Sequence, residues 1–110
     1  MAEGRPTIST HVLDTELGMP AAGIRVRIGR IVDDGAEVPA GTGTTDADGR
    51  IRELLIGELT PGDYRITFWI GRVAGFFERI SLDVHVEDAT RSYHVPLLLA
   101  PYAMTTYRGS

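Results

Sequence analysis

Three histidines, His11, His85 and His94, are the side chains of this chain best suited to moving protons, and its eleven arginines, Arg50 among them, are those suited to holding a polar substrate. Neutral imidazole titrates near pH 7, so it can take a proton from water and return it to a departing nitrogen. A guanidinium can clamp a planar carbonyl and offset the charge that develops on its oxygen when water adds. The sequence ends on Tyr107-Arg108-Gly109-Ser110, which brings an aromatic ring, a cation and a hydroxyl to a place where chains usually fray. That composition predicts a tail held in position for use.

Each candidate also has a plainer reading. His11, in Ser9-Thr10-His11-Val12-Leu13-Asp14, has the strand parity opposite to Ile8, Thr10 and Val12, so it should point away from the main core. Spacing alone leaves it as readily a surface or hydrogen-bonded structural residue. His94 shares its parity with Leu98, an apolar, partly dried setting in which an imidazole can be tuned. Its plainer role is a polar group satisfied at a subunit contact. His85 lies on the polar parity of Asp83 and Glu87 and is expected on the surface. Arg50 follows the acidic turn Asp46-Ala47-Asp48-Gly49, and neighbouring Arg52 shows how easily such an arginine could be a rim ion pair. The turn resembles the start of a calcium loop, but the twelfth position from Asp46 is Gly57 and not a bidentate glutamate, so a plain turn is expected. No Gly-x-Ser-x-Gly elbow signals a serine nucleophile. The three histidines lack ligand-like spacing, so neither a metal nor another cofactor is expected.

The elements that must position these residues read as strands. Ile24, Val26 and Ile28 alternate with Arg25 and Arg27; Tyr64, Ile66, Phe68 and Ile70 with Arg65 and Thr67; Ile80, Leu82, Val84 and Val86 with Ser81, Asp83, His85 and Glu87. Turn signals rich in Gly and Asp separate the runs. Strands are predicted near 7–14, 22–32, 38–45, 50–56, 63–70, 78–87 and 91–100, with a short last one near 103–108. The fold class is all-β: a two-sheet antiparallel β-sandwich of seven to eight strands, one domain over 1–110. Tyr93 to Leu99 is apolar on both parities and should be covered on both faces. In so small a sandwich that predicts a partner subunit over one of them.

Composition removes several function classes. With 110 residues and no cysteine, there is no thiol nucleophile, Cys-type zinc site or disulfide framework. Lysine is absent as well, so Schiff-base chemistry on a lysine is out and all eleven basic residues are arginines. A net charge of −4 gives no reason to expect nucleic acid or an anionic membrane as partner. The opening residues lack the apolar stretch of a signal peptide, so a cytoplasmic location is expected.

Tyr93-His94-Val95-Pro96-Leu97-Leu98-Leu99-Ala100-Pro101, followed by Thr106-Tyr107-Arg108-Gly109-Ser110, resembles the C-terminal signature of the 5-hydroxyisourate hydrolases, the transthyretin-related enzymes of urate breakdown. Thr10-His11-Val12-Leu13-Asp14-Thr15, with Gly18, Pro20 and Ala21, and the less specific Thr45-Asp46-Ala47-Asp48-Gly49-Arg50 resemble the same family. The resemblance implies a prealbumin-like sandwich that hydrolyses 5-hydroxyisourate to 2-oxo-4-hydroxy-4-carboxy-5-ureidoimidazoline without a cofactor. It implies catalytic roles for His11, Arg50 and His94, and substrate binding by Tyr107, Arg108, Gly109 and Ser110, the last carrying a hydroxyl and the terminal carboxylate. It also implies a homotetramer with sites at the dimer–dimer interface. Departures from the family pattern lie in Trp69 to Phe77, where its one short helix should be trimmed or missing, and at Glu78, Ala100 and Met104. The alternatives are a transthyretin-like carrier of small ligands, which has no use for two histidines and this tail, and a non-catalytic prealbumin-like structural domain, which would explain only the Asp-Gly turn and Leu59 to Tyr64.

Overall fold

A computed structural model describes residues 5–109. Nine strands run in the order β1 (Ile8–Asp14), β2 (Met19–Pro20), β3 (Arg25–Ile31), β4 (Glu37–Thr44), β5 (Arg50–Ile51), β6 (Gly62–Trp69), β7 (Arg79–Val86), β8 (Tyr93–Ala100) and β9 (Ala103–Thr106). One sheet has the order β4-β3-β6-β7; the other has the order β2-β1-β8-β9, with β5 pairing along the same edge of β1 as β2. The two-sheet sandwich is the expected one. The expected helix trimming is also seen, since only one turn, α1 (Gly71–Ala74), stands between β6 and β7.

Alternation along the strands puts the core between the sheets. Ile8 and Val12 of β1, Val26 and Ile28 of β3, Ile66 and Phe68 of β6, and Leu97 and Leu99 of β8 are all buried. Each contributes about 1.5–3 kcal/mol by leaving water. Tyr64 is buried with them, and its hydroxyl is satisfied by donating to the Thr60 carbonyl at 3.0 Å. Buried Thr10 likewise donates to the Val95 carbonyl, at 2.6 Å.

Two features differ in detail from a uniform antiparallel reading with a strand over 50–56. β1 and β8 pair in parallel, from Ile8 against Tyr93 to Asp14 against Leu99. A parallel pair requires a crossover, and here the whole opposing sheet lies in the intervening chain. The segment after Arg50 stays in a ladder for two residues only. Beyond it, the Leu54 N–H bonds to the Ile8 carbonyl in one sheet and the Ile56 N–H to the Ala40 carbonyl in the other. A segment that bonds to both sheets in turn cannot continue as a strand of either. Met19 and Pro20 fold back on β1 as the short β2. Among the described residues no helix is long and apolar enough to cross a membrane.

Candidate active site

Three registers on one sheet determine which side chains meet. β5 pairs antiparallel with β1 so that Arg50 lies opposite His11. On the other edge of β1, Ser9 lies opposite His94 and His11 opposite Pro96. Directly opposed residues share a face across strands about 4.8 Å apart. Because Ile8, Thr10 and Val12 are buried, Ser9 and His11 take the outer face, and Arg50 and His94 go with them. The outward direction expected for both histidines is thus the observed one.

Hydrogen bonds hold the two imidazoles from different sides. His94 Nδ1 and Ser9 Oγ are 2.8 Å apart. His11 Nε2 is 2.8 Å from the backbone carbonyl of Asp48, in the turn that leads into β5. His94 is pushed below its ordinary titration range, chiefly because burial disfavours its charged form, then by the charge of Arg50 and by the repulsion that would arise if it and His11 were both protonated. It is therefore neutral at pH 7 and able to accept a proton.

The tail reaches this histidine. Gly109 forms an antiparallel bridge with His94, its N–H donating to the His94 carbonyl at 2.7 Å. A Cβ at position 109 would sit 2.7 Å from His94 Cδ2, so glycine is what allows the backbone to pass this close to the ring. Beside these residues opens a cleft of about 380 Å³, lined among others by Thr7, Ser9, Arg50, Arg52, Ser92 and His94. Two arginines, the hydroxyls of Thr7, Ser9 and Ser92, and a neutral imidazole around a small cavity suit a planar, polar ring with several carbonyls.

The other candidates lie elsewhere. Tyr107 and Arg108 line a separate groove of about 400 Å³ between the edge of β7 and the tail, beside Val84, His85 and Val95. Ser110 falls outside the described residues. His85 is on the outer face of the opposing sheet, where its Nδ1 lies 2.7 Å from Asp63 Oδ1 at an exposed position, as expected for a surface residue. This separates it from the other two histidines. Ser9 and the Asp48 carbonyl are site groups that residue-type reasoning missed. Ser9 shares parity with His11 and was visible to that extent, but its pairing with His94 depends on a contact between strands 85 residues apart.

Residues 8–109 match the family model described as HIUase/Transthyretin family. The chain belongs to this family. Within it, the chain is 41% identical to a 5-hydroxyisourate hydrolase of Deinococcus radiodurans, over 97% of this chain and 98% of that protein. The structure of Klebsiella pneumoniae 5-hydroxyisourate hydrolase is similar with a TM-score of 0.79 and 34% identity, covering 94% of this chain and 99% of that one. Sea bream transthyretin in complex with thyroxine is similar in fold, with a TM-score of 0.84 and 28% identity over 93% of each chain. The family thus includes both an enzyme and a ligand-binding protein on one scaffold, and the site residues must distinguish them.

Proposed function

We propose that the protein is a 5-hydroxyisourate hydrolase of urate catabolism, in which water adds to a carbonyl of the six-membered ring. A C–O bond forms at that carbonyl, the ring C–N bond breaks, and the proton lost by water ends on the departing nitrogen. His11 and His94 share the general-base and proton-return work. Arg50 grips the ring and offsets the negative charge of the tetrahedral oxygen. Tyr107, Arg108, Gly109 and Ser110 bind substrate, Gly109 from its place against His94, and Tyr107 and Arg108, which line a separate groove within the chain, at a site completed by a neighbouring copy. The chain acts as one domain, and four copies associate with sites at the junction of two dimers.

The observation that carries this reading is the shared outer face: Arg50 opposite His11, and His94 opposite Ser9 one pleat away, with the tail paired to His94. Full-length similarity to a hydrolase from Deinococcus radiodurans supports it. A carrier of the transthyretin type requires a cavity but not two imidazoles and a guanidinium on one outer face of the sheet.

The test uses 5-hydroxyisourate generated by urate oxidase and follows the decay of its absorbance. Purified protein should accelerate decay well beyond the spontaneous rate, and an unchanged rate refutes the proposal. His11→Ala and His94→Ala should each lower kcat/KM by about 10²- to 10⁴-fold, the usual yield of general acid–base catalysis. Circular dichroism should show both variants folded.

A further inference from the structure

We propose that the turn from Asp46 to Arg50 sets the tautomer of His11, with Asp46 as its positioning residue and Nδ1 as the atom through which His11 exchanges protons. The inference rests on the reading of His11 as a catalytic residue and concerns which of its nitrogens is used.

A carbonyl oxygen can only accept, so the ring nitrogen 2.8 Å from the Asp48 carbonyl must carry a hydrogen. A neutral imidazole has one N–H. With Nε2 protonated, the lone pair is on Nδ1. Backbone carbonyls that hold one ring nitrogen of a histidine in this way fix both its tautomer and its orientation.

The residue that carries this carbonyl is itself held by one side chain. Asp46 Oδ1 accepts from the Asp48 N–H at 2.9 Å and from the Arg50 N–H at 3.0 Å. The Asp46 backbone closes the same loop, its carbonyl accepting from Gly49 N–H at 2.9 Å and its N–H donating to the Arg50 carbonyl at 3.0 Å. The turn is then fastened to the strand that carries His11, because the Val12 N–H donates to the Gly49 carbonyl at 2.7 Å. From the other side, Thr45 is buried and its hydroxyl donates to the Ala21 carbonyl at 2.7 Å. Gly49 adopts φ +76°, and a Cβ there would run into the Val12 carbonyl. One carboxylate oxygen thus bonds the N–H of the residue whose carbonyl orients His11 and the N–H of Arg50, while the peptide that contains that carbonyl is held through Gly49 N–H by the Asp46 backbone. Asp46 is exposed and does not line the cleft beside His94, so it acts through these peptides and not on substrate.

Because the role needs an acceptor and not a charge, asparagine should replace Asp46 and alanine should not. The experiment uses the full chain as wild type, Asp46→Asn and Asp46→Ala. Long-range nitrogen–proton NMR of the neutral rings reads the tautomer, with the His11 signals assigned by their loss in His11→Gln, and steady-state kinetics reads kcat and KM. The wild type should show His11 as Nε2–H. Asp46→Ala should give a mixture of tautomers and a kcat lower by about tenfold with KM little changed, in line with the loss of an orienting partner elsewhere. Asp46→Asn should restore both. A wild-type His11 protonated on Nδ1, or an Asp46→Ala protein with unaltered tautomer and kcat, overturns the proposal. If alanine prevents folding, Asp46→Asn still decides, since a changed tautomer there refutes the acceptor role. Absence of any acceleration by the wild type counts against the hydrolase reading alone, because the ring signals are read without substrate.

Discussion

Placing a neutral imidazole beside a guanidinium has consequences that pH can expose. Burial first, then the charge of Arg50 and the mutual repulsion of two protonated imidazoles, hold His94 below its ordinary titration near 6.5. As pH falls below that value, the unfolded chain takes up a proton on this ring before the folded chain does. The stability contributed by neutral His94 is therefore complete above about pH 6.5 and declines as pH drops through the folded value. The same shift extends the working range of the base. We expect kcat/KM to persist at pH values where a free histidine is mostly charged, then to fall on the acid side, and His94→Gln to remove that limb of the profile. An acid limb unchanged in His94→Gln would assign it to another group.

Strands and the tail convert these side chains into a site. β1 and β8 carry the histidines on their outer faces while their inner faces hold the core, so stability and chemistry are separable on the same element. Leu97, with no exposed surface, should cost about 2–5 kcal/mol on replacement by alanine, measured by urea unfolding. Gly109→Ala should do the reverse. It drives a Cβ into the His94 ring and lifts the tail, so kcat/KM should fall by up to about 100-fold while the midpoint of thermal unfolding barely moves. A variant with native activity would show that the tail is not part of the working site. These outcomes concern features of unequal visibility in the sequence. The period-two runs located β3, β6 and β7, and the run apolar on both parities located β8, to within a few residues, and the parity of His11 and His94 was right. The two-residue length of β5 was not legible, because only the opposing ladders of β1 and β4 decide where that segment leaves the sheet.

For the molecule as a whole, the outer face of β1 and β8 is the surface on which an assembly would form. Pro96 is already buried within the chain, but Leu13 and Leu98 are only half-buried, and Leu17 and Met19 at the same end are 67% and 53% exposed. Apolar area next to the cleft beside His94 is what a neighbouring subunit would cover. Under the proposed tetramer, light scattering after size exclusion should report four copies, and specific activity should fall on dilution to single chains. Monomeric protein with full activity would remove the shared-site arrangement and leave the cleft beside His94 as the complete site.

Composition and alternation by themselves determined the all-β class, the outward direction of the two histidines, the exclusion of thiol and lysine chemistry, and the residues on which a family resemblance could rest. These are local properties, because the face a side chain takes follows from its own strand's period. The tertiary structure alone decided that β1 and β8 run in parallel, that Ser9 meets His94, that a peptide carbonyl of the acidic turn orients His11, and that Tyr107 and Arg108 border a groove separate from the cleft beside His94. Those are pairings between distant segments, set by which register lets both sheets bury their apolar faces at once, and no window of sequence contains both partners.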